Sequence, residues 1–259
     1  MTKSEIKLVR SLHQKKFRDE LGLFIAEGDK CINELRKHFE LVLLADASNA
    51  TAKEIEQMSM LRTPQGSIAV FKQVNSPLPT TLNAKHSTLN ALTLVLDGIQ
   101  DPGNLGTIIR TADWFGVHDI VCSLDTVDCY NPKVVQATMG ALTRVRVHYT
   151  DLVEWLSTLN SQFSTLHSPS STLPIYGTLL DGNNLYEETS ICNNQFSFLH
   201  SPFSILIMGN EGNGISQSVR SLVTHPIRIP SFPPDAETSE SLNVAIATAI
   251  VLAEFRRPK

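Results

Sequence analysis

The sequence predicts an α/β protein, a parallel-sheet domain in the C-terminal two-thirds preceded by a small α/β domain. Two observations carry this expectation. From Ala91 onward, apolar runs of strand length alternate with helical patterns, as strands buried on both faces and joined by crossover helices do. Before them, Asn75-Ser-Pro-Leu-Pro-Thr80 through His86-Ser-Thr88 is rich in Pro, Ser and Thr and has no periodicity, which marks a linker. Domains are therefore expected at residues 1–75 and 91–259, with the linker at 76–90. A chain of 259 residues is long enough for both to bury a core.

In the first domain, Ile6, Leu8, Val9, Leu12 and Phe17 predict one short amphipathic helix, because their spacing repeats with the helical period. Leu23–Ala26, Leu41–Leu44 and Ile68–Phe71 are apolar runs of strand length, and helices are expected between them at Asp29–Phe39 and Ala52–Met58. In the second domain, strands are expected at Thr93–Leu96, Asp119–Cys122, Arg144–Val147, Ile175–Leu179, Ser204–Met208 and His225–Ile229. The intervening helices are Asn104–Phe115, Pro132–Thr138, Leu152–Leu159 and Ser216–Leu222, with Asn104 as the expected cap of the first. Ser161–Thr172, rich in Ser, Thr and His, is expected as a surface loop. The last helix, Ser241–Arg257, is apolar on nearly every side, so it must be buried against its own sheet and against a second subunit.

Composition excludes several classes. With 42% hydrophobic and 19% charged residues the chain is neither disordered nor fibrous, and its longest apolar stretch is shorter than the roughly 20 residues a membrane span needs. The N-terminus lacks the apolar region of a signal peptide, so a cytoplasmic location is expected. Cys31, Cys122, Cys129 and Cys192 show neither metal-ligand spacing nor a disulfide framework and read as reduced packing residues, so no metal is expected. The net charge of −4 is unevenly spread. Lys3, Lys7, Arg10, Lys15, Lys16 and Arg18 face the single acid Glu5, giving +5 over residues 1–18 and leaving −9 on the remainder. Such an arm either meets a phosphate backbone or forms a solvated helix face.

The chemistry concentrates in three stretches. Leu96-Asp-Gly-Ile-Gln-Asp-Pro-Gly-Asn-Leu-Gly-Thr-Ile-Ile-Arg-Thr-Ala112 leads a strand through a glycine loop into a helix carrying Arg110 near its N-terminus. The macrodipole disfavours a cation there, so Arg110 needs an anionic partner, either a ligand or a neighbouring acid such as Asp97 or Asp101. Ile205-Leu-Ile-Met-Gly-Asn-Glu-Gly-Asn-Gly-Ile-Ser216 runs a strand into a turn where glycines admit a ligand close to the main chain. Glu211 within that turn reads either as a reacting carboxylate or as an acceptor for the turn's own amides. Ile229-Pro230 and Ser241-Leu-Asn-Val244 follow. The turn lacks the G-x-G-x-x-G spacing and the early position of a dinucleotide site.

Together these motifs, N-x-G-x-x-x-R-x-A as Asn104–Ala112, G-x-E-G-x-G as Gly209–Gly214 and I-P…S-L-N-V ending at Val244, resemble the SpoU (TrmH-like) branch of the SPOUT RNA methyltransferases. Lys7–Arg18 and Phe24-Ile-Ala-Glu-Gly28 are similar to the substrate-binding domain of its ribosomal RNA members. The resemblance implies transfer of a methyl group from S-adenosylmethionine to a ribose 2′-hydroxyl of RNA, ribosomal RNA before transfer RNA. A non-catalytic RNA-binding protein of the same fold is the alternative from another class. The resemblance also implies a C-terminal trefoil knot and a homodimer. By motif position it makes Asn104, Arg110, Glu211, Ser241 and Asn243 the catalytic set, and Thr178, Leu179, Gly209, Asn210, Ile229 and Leu242 the cofactor-binding set. RNA binding is expected at Arg10, Lys15, Lys16 and Arg18. The stretch 231–240 is longer than the family's common form and lacks its glycine, so no ligand contact transfers there.

Overall fold

In this computed structural model, residues 1–79, 91–166, 172–187, 203–233, 239 and 241–257 are described. They fall into two compact units. The first comprises Met1–Ser76, Asp101–Arg110 and Val127–Arg144, and the second comprises Pro77–Gln100, Thr111–Thr126 and Val145–Lys259. Among the described residues no helix is long and apolar enough to cross a membrane.

The first unit holds a three-stranded antiparallel sheet, ordered β1 (Leu23–Glu27), β3 (Ile68–Lys72), β2 (Leu41–Ala45). Its strands alternate. Ile25 and Val70 turn to one face, where they join Val9, Leu12, Ile55 and Met58 from α1 (Lys3–Ser11), the residues after it and α4 (Ala52–Met58). Phe24 and Phe71, opposite in register, stack at 5.6 Å on the other face with Tyr130 and Phe39 against Phe24. Tyr130 precedes α6 (Pro132–Thr138), so residues from the middle of the chain complete this N-terminal core.

One helix was expected over Ile6–Phe17, but there are two, α1 and α2 (Lys15–Leu21). The break is held by Arg18, whose Nη1 donates to the carbonyls of Leu12 and His13 at 2.9 and 3.0 Å. The helix expected to run to Phe39 ends sooner, as α3 (Asp29–Leu35), because Phe39 must turn inward to meet Phe24.

The second unit is built on a six-stranded parallel sheet ordered β6 (Arg146–Tyr149), β5 (Asp119–Cys122), β4 (Ala91–Asp97), β8 (Phe203–Gly209), β7 (Ile175–Asn184), β9 (His225–Arg228). One face carries Val95, Val121, Ile175, Ile205 and Ile207, covered by Trp155, Leu156, Leu159 and Phe163 of α7 (Leu152–Leu166). The expected loop at 161–172 is helical as far as Leu166, and 167–171 lie outside the described residues. Phe163 is buried in the core, and the hydroxyls of Ser161, Ser164 and Thr165 bond carbonyls four residues back, so the polar side chains do not compete with the helix. Chain order reverses between β4 and β8. In open parallel sheets the carboxyl ends of strands at such a reversal form the ligand crevice.

Candidate active site

β8 ends at Gly209, and the chain doubles back through 211–213. Asn210 and Gly214 exchange backbone hydrogen bonds of 3.0 and 2.9 Å across this turn. The closeness depends on Gly209 having no side chain. A Cβ there would lie 2.3 Å from both Gly214 C and Ile215 N, closer than real Cβ atoms approach backbone. Asn210 accepts the N–H groups of Gly212 and Asn213 on Oδ1 at 2.8 and 3.1 Å, while its Nδ2 donates to the carbonyl of Gly98 at 2.7 Å. Beside it the Ser216 N–H donates to Asp97 Oδ2 at 2.7 Å. Glu211 is partly buried at the head of the turn.

Thr178 and Leu179 lie in β7, where the pairing to β9 is interrupted, Thr178 and Asn183 both standing opposite Ile227. The Thr178 hydroxyl donates to Ile207 O at 3.2 Å, so this side chain is tied to the neighbouring strand β8. Ile229 follows the last residue of β9 directly and is partly buried. Gly209 and Ile229 therefore stand at the carboxyl ends of β8 and β9, level with Thr178–Leu179 at the interruption inside β7. Ser241, Leu242 and Asn243 precede the terminal helix, α9 (Val244–Phe255), and are exposed. That helix, expected from Ser241, starts three residues later because the Asn243 side chain caps it, accepting Ala245 and Ile246 N–H groups at 3.0 and 3.3 Å. Four of its apolar residues, Val244, Ala245, Val251 and Leu252, are buried, but Ile246 is 54% exposed, so burial on all sides is not met within one chain.

Asn104 and Arg110 belong to α5 (Pro102–Trp114) and to the first unit. Asn104 was expected to cap this helix. Asp101 does so instead, its Oδ1 accepting the Asn104 N–H at 2.8 Å, with Pro102 in the first helical position, where a missing N–H costs nothing. Six residues separate Asn104 from Arg110, about 9 Å along the axis. Arg110 is exposed, and among the described residues no ion pair engages it. The two acids considered as its partners are committed elsewhere, Asp97 to the Ser216 amide and Asp101 to the helix cap.

A family model described as the SpoU rRNA Methylase family matches residues 91–253. The chain belongs to this family. A second model, the MRM3-like substrate binding domain, matches residues 3–74. The 23S rRNA (guanosine(2553)-2′-O)-methyltransferase RlmP of Bacillus subtilis is 28% identical, over 97% of this chain and 96% of its own length. A TrmH-family structure from Porphyromonas gingivalis is 35% identical with a TM-score of 0.79, covering 99% of this chain and 98% of that one. An AdoMet-bound rRNA methyltransferase from Sinorhizobium meliloti is 28% identical with a TM-score of 0.76, covering 99% and 95%. The SpoU fold is thus an α/β fold with a six-stranded parallel sheet, preceded by a small N-terminal α/β region.

Ahead of the SpoU region, Arg10, Lys15 and Lys16 are exposed, and Lys15 pairs with Asp19 in the open. Arg18 is placed differently from the expectation. It is 2% exposed, its Nε and Nη2 both donating to Asp128 Oδ2 at 3.0 and 2.7 Å, so no donor faces solvent for a phosphate. Glu27 of the Phe24-Ile-Ala-Glu-Gly28 motif is likewise internal, accepting Ser59 Oγ at 2.5 Å and Met60 N–H at 2.8 Å, which fixes the chain after α4. Cys31, Cys122 and Cys129 are buried and outside any disulfide, and burial pushes the Cys31 thiol up to about 11; Cys192 lies outside the described residues. Sequence reasoning missed Ser123 and Thr126. Their hydroxyls take the Gly98 and Ile99 N–H groups at 2.8 and 3.2 Å, and no local pattern announces this.

Proposed function

We propose that this chain transfers a methyl group from S-adenosylmethionine to a ribose 2′-hydroxyl of ribosomal RNA. The observation that carries the reading is the close-packed Gly209–Gly214 turn at the carboxyl end of β8, level with Thr178–Leu179 at the interruption of β7 and with Ile229 after β9, in a chain of the SpoU family. When bound, the donor supplies a methyl group on a sulfonium that needs no further activation. The chain's residues then have two tasks, to grip the donor and to orient the 2′-oxygen and ease removal of its proton. Main chain at 178–179, Gly209, Ile229 and Leu242 offers neutral hydrogen-bonding groups suited to an adenine edge, with Asn210 shaping the turn. Asn104, Ser241 and Asn243 carry amide and hydroxyl groups suited to a ribose, and Glu211 an acceptor.

Arg110 stays protonated at ordinary pH, so we assign it the clamping of a phosphate and polarisation of the 2′-hydroxyl rather than proton abstraction. Arg10, Lys15 and Lys16 are proposed to track RNA backbone, and Arg18 to be structural. The division into residues 1–75, a linker at 76–90 and 91–259, a trefoil-knotted C-terminal region, a homodimer using the exposed apolar side of α9 and a cytoplasmic location belong to the same reading.

Isothermal titration of the full chain with S-adenosylmethionine, and mapping of 2′-O-methylation across total RNA from a strain lacking the gene, test it together. Binding and the loss of one ribosomal RNA site are expected. A protein that does not bind the donor points to the non-catalytic RNA-binding alternative, and a vanished transfer RNA site would replace the substrate.

A further inference from the structure

Gly98, just past β4, has a φ of 72°, a conformation that suits glycine, and both its backbone polar groups are taken by side chains from flanking loops. Its N–H donates to Ser123 Oγ at 2.8 Å, and its carbonyl accepts Asn210 Nδ2 at 2.7 Å. Ser123 is itself supported by Thr126, their hydroxyl oxygens 3.0 Å apart, and Thr126 takes the Ile99 N–H. The opposite end of Asn210 holds the amides of Gly212 and Asn213. One amide thus spans the strand reversal between β4 and β8, accepting from the glycine turn and donating to the loop that continues into Asp101 and α5. A carboxylate of the same size can accept but not donate, a hydroxyl is too short to reach both, and only the amide serves both sides at once.

We propose that Asn210 is a positioning residue that fixes the donor-side turn and the loop entering the first motif in one arrangement. The inference deepens the methyltransferase reading and rests on it. Its two arms have separable consequences. The Oδ1 arm shapes the turn and so governs affinity for the donor. The Nδ2 arm holds Gly98 in the loop that precedes the first motif along the chain, and this arm is the one proposed to govern turnover. Asn210→Asp keeps the first arm and replaces the second by repulsion between a carboxylate oxygen and the Gly98 carbonyl, whereas Asn210→Ala removes both. Ser123→Ala releases the other end of Gly98 while leaving the turn intact.

The test measures, on the full-length chain, S-adenosylmethionine affinity by titration and methyl incorporation from labelled donor into total ribosomal RNA of a strain lacking the gene. With Asn210→Ala, donor binding is expected to weaken about tenfold and turnover to fall with it. With Asn210→Asp and Ser123→Ala, donor affinity should stay within about threefold while turnover at saturating donor falls about tenfold or more. Wild-type turnover in Asn210→Asp, or donor loss in it equal to that of Asn210→Ala, overturns the proposal. Hydrogen exchange in the ligand-free protein is decided independently of any methyl donor. The Gly212 and Asn213 amides should exchange faster in Asn210→Ala and not in Asn210→Asp, and equal exchange in the two variants overturns the brace. A wild type that fails to bind the donor sinks the methyltransferase reading alone, because the exchange result still decides what Asn210 does.

Discussion

Replacing Gly209 with alanine should damage the turn far more than the same change at Gly212, although the sequence presents both as motif glycines. The added Cβ at 209 would sit 2.3 Å from Gly214 C and Ile215 N, so the two arms of the turn must part by about 1 Å to reach ordinary contact. That movement carries the Asn210–Gly214 hydrogen bonds, now 3.0 and 2.9 Å, beyond useful length. Two such bonds at about 1 kcal/mol each, with backbone strain added, give about 2–3 kcal/mol. Donor affinity should then fall on the order of 30–100-fold. At Gly212 the nearest atom to an added Cβ is Asn210 Oδ1 at 3.5 Å, an ordinary contact, and φ is not in the left-handed region. Gly212→Ala should therefore bind within about threefold of wild type. Titration of both variants with S-adenosylmethionine, with thermal melts to confirm folding, decides it. Equal losses at the two positions, or donor binding by Gly209→Ala within about threefold of wild type, would refute close packing at Gly209 as the basis of the pocket wall.

Three further outcomes are expected. Arg18→Ala breaks a buried pair and leaves carbonyls of Leu12 and His13 without donors, so urea unfolding should show a loss of about 3 kcal/mol, while Arg10→Ala and Lys16→Ala leave the urea midpoint in place and lower RNA affinity with a shallower salt dependence. Asp119 is raised by burial, but hydrogen bonds and charge from His148 and Arg146 outweigh this and hold its carboxyl down to about 2. Its folded pKa is thus below its unfolded value, so its contribution, about 2 kcal/mol, is complete above about pH 4 and lost as pH falls towards 2. The gap in urea stability between wild type and Asp119→Asn should close over that window, and a gap that persists at pH 2 would contradict the assignment. Arg110→Lys should leave donor binding unchanged and lower methyl incorporation on the order of 100-fold, whereas near-normal turnover would show that planar guanidinium recognition is not needed.

Local pattern located most of the elements. α4 at Ala52–Met58, β5 at Asp119–Cys122 and α6 at Pro132–Thr138 have the expected boundaries, because each is a periodic or apolar run closed by its own turn residues. Expectations failed where a distant side chain intervened. The first helix splits because Arg18 claims its terminal carbonyls, the α3 helix stops early for Phe39, and the hydroxyl-rich end of α7 stays helical because Phe163 has a core to enter.

The three ordered motifs and the alternation of strands and helices were written in the sequence, and the motifs were enough to indicate the SpoU family, since each is a short run of specified residue types. Which side chains serve the site and which hold the frame was decided only in three dimensions. Arg18 is internal because Asp128 stands beside it, 110 residues further on; Asn210 is a brace because Gly98 lies 112 residues before it; Asp97 is committed because Ser216 lies 119 residues after it. A side chain's hydrogen-bonding capacity is fixed by its type, but the partner that uses it is set by the fold, and partners so far apart along the chain leave no local pattern to read.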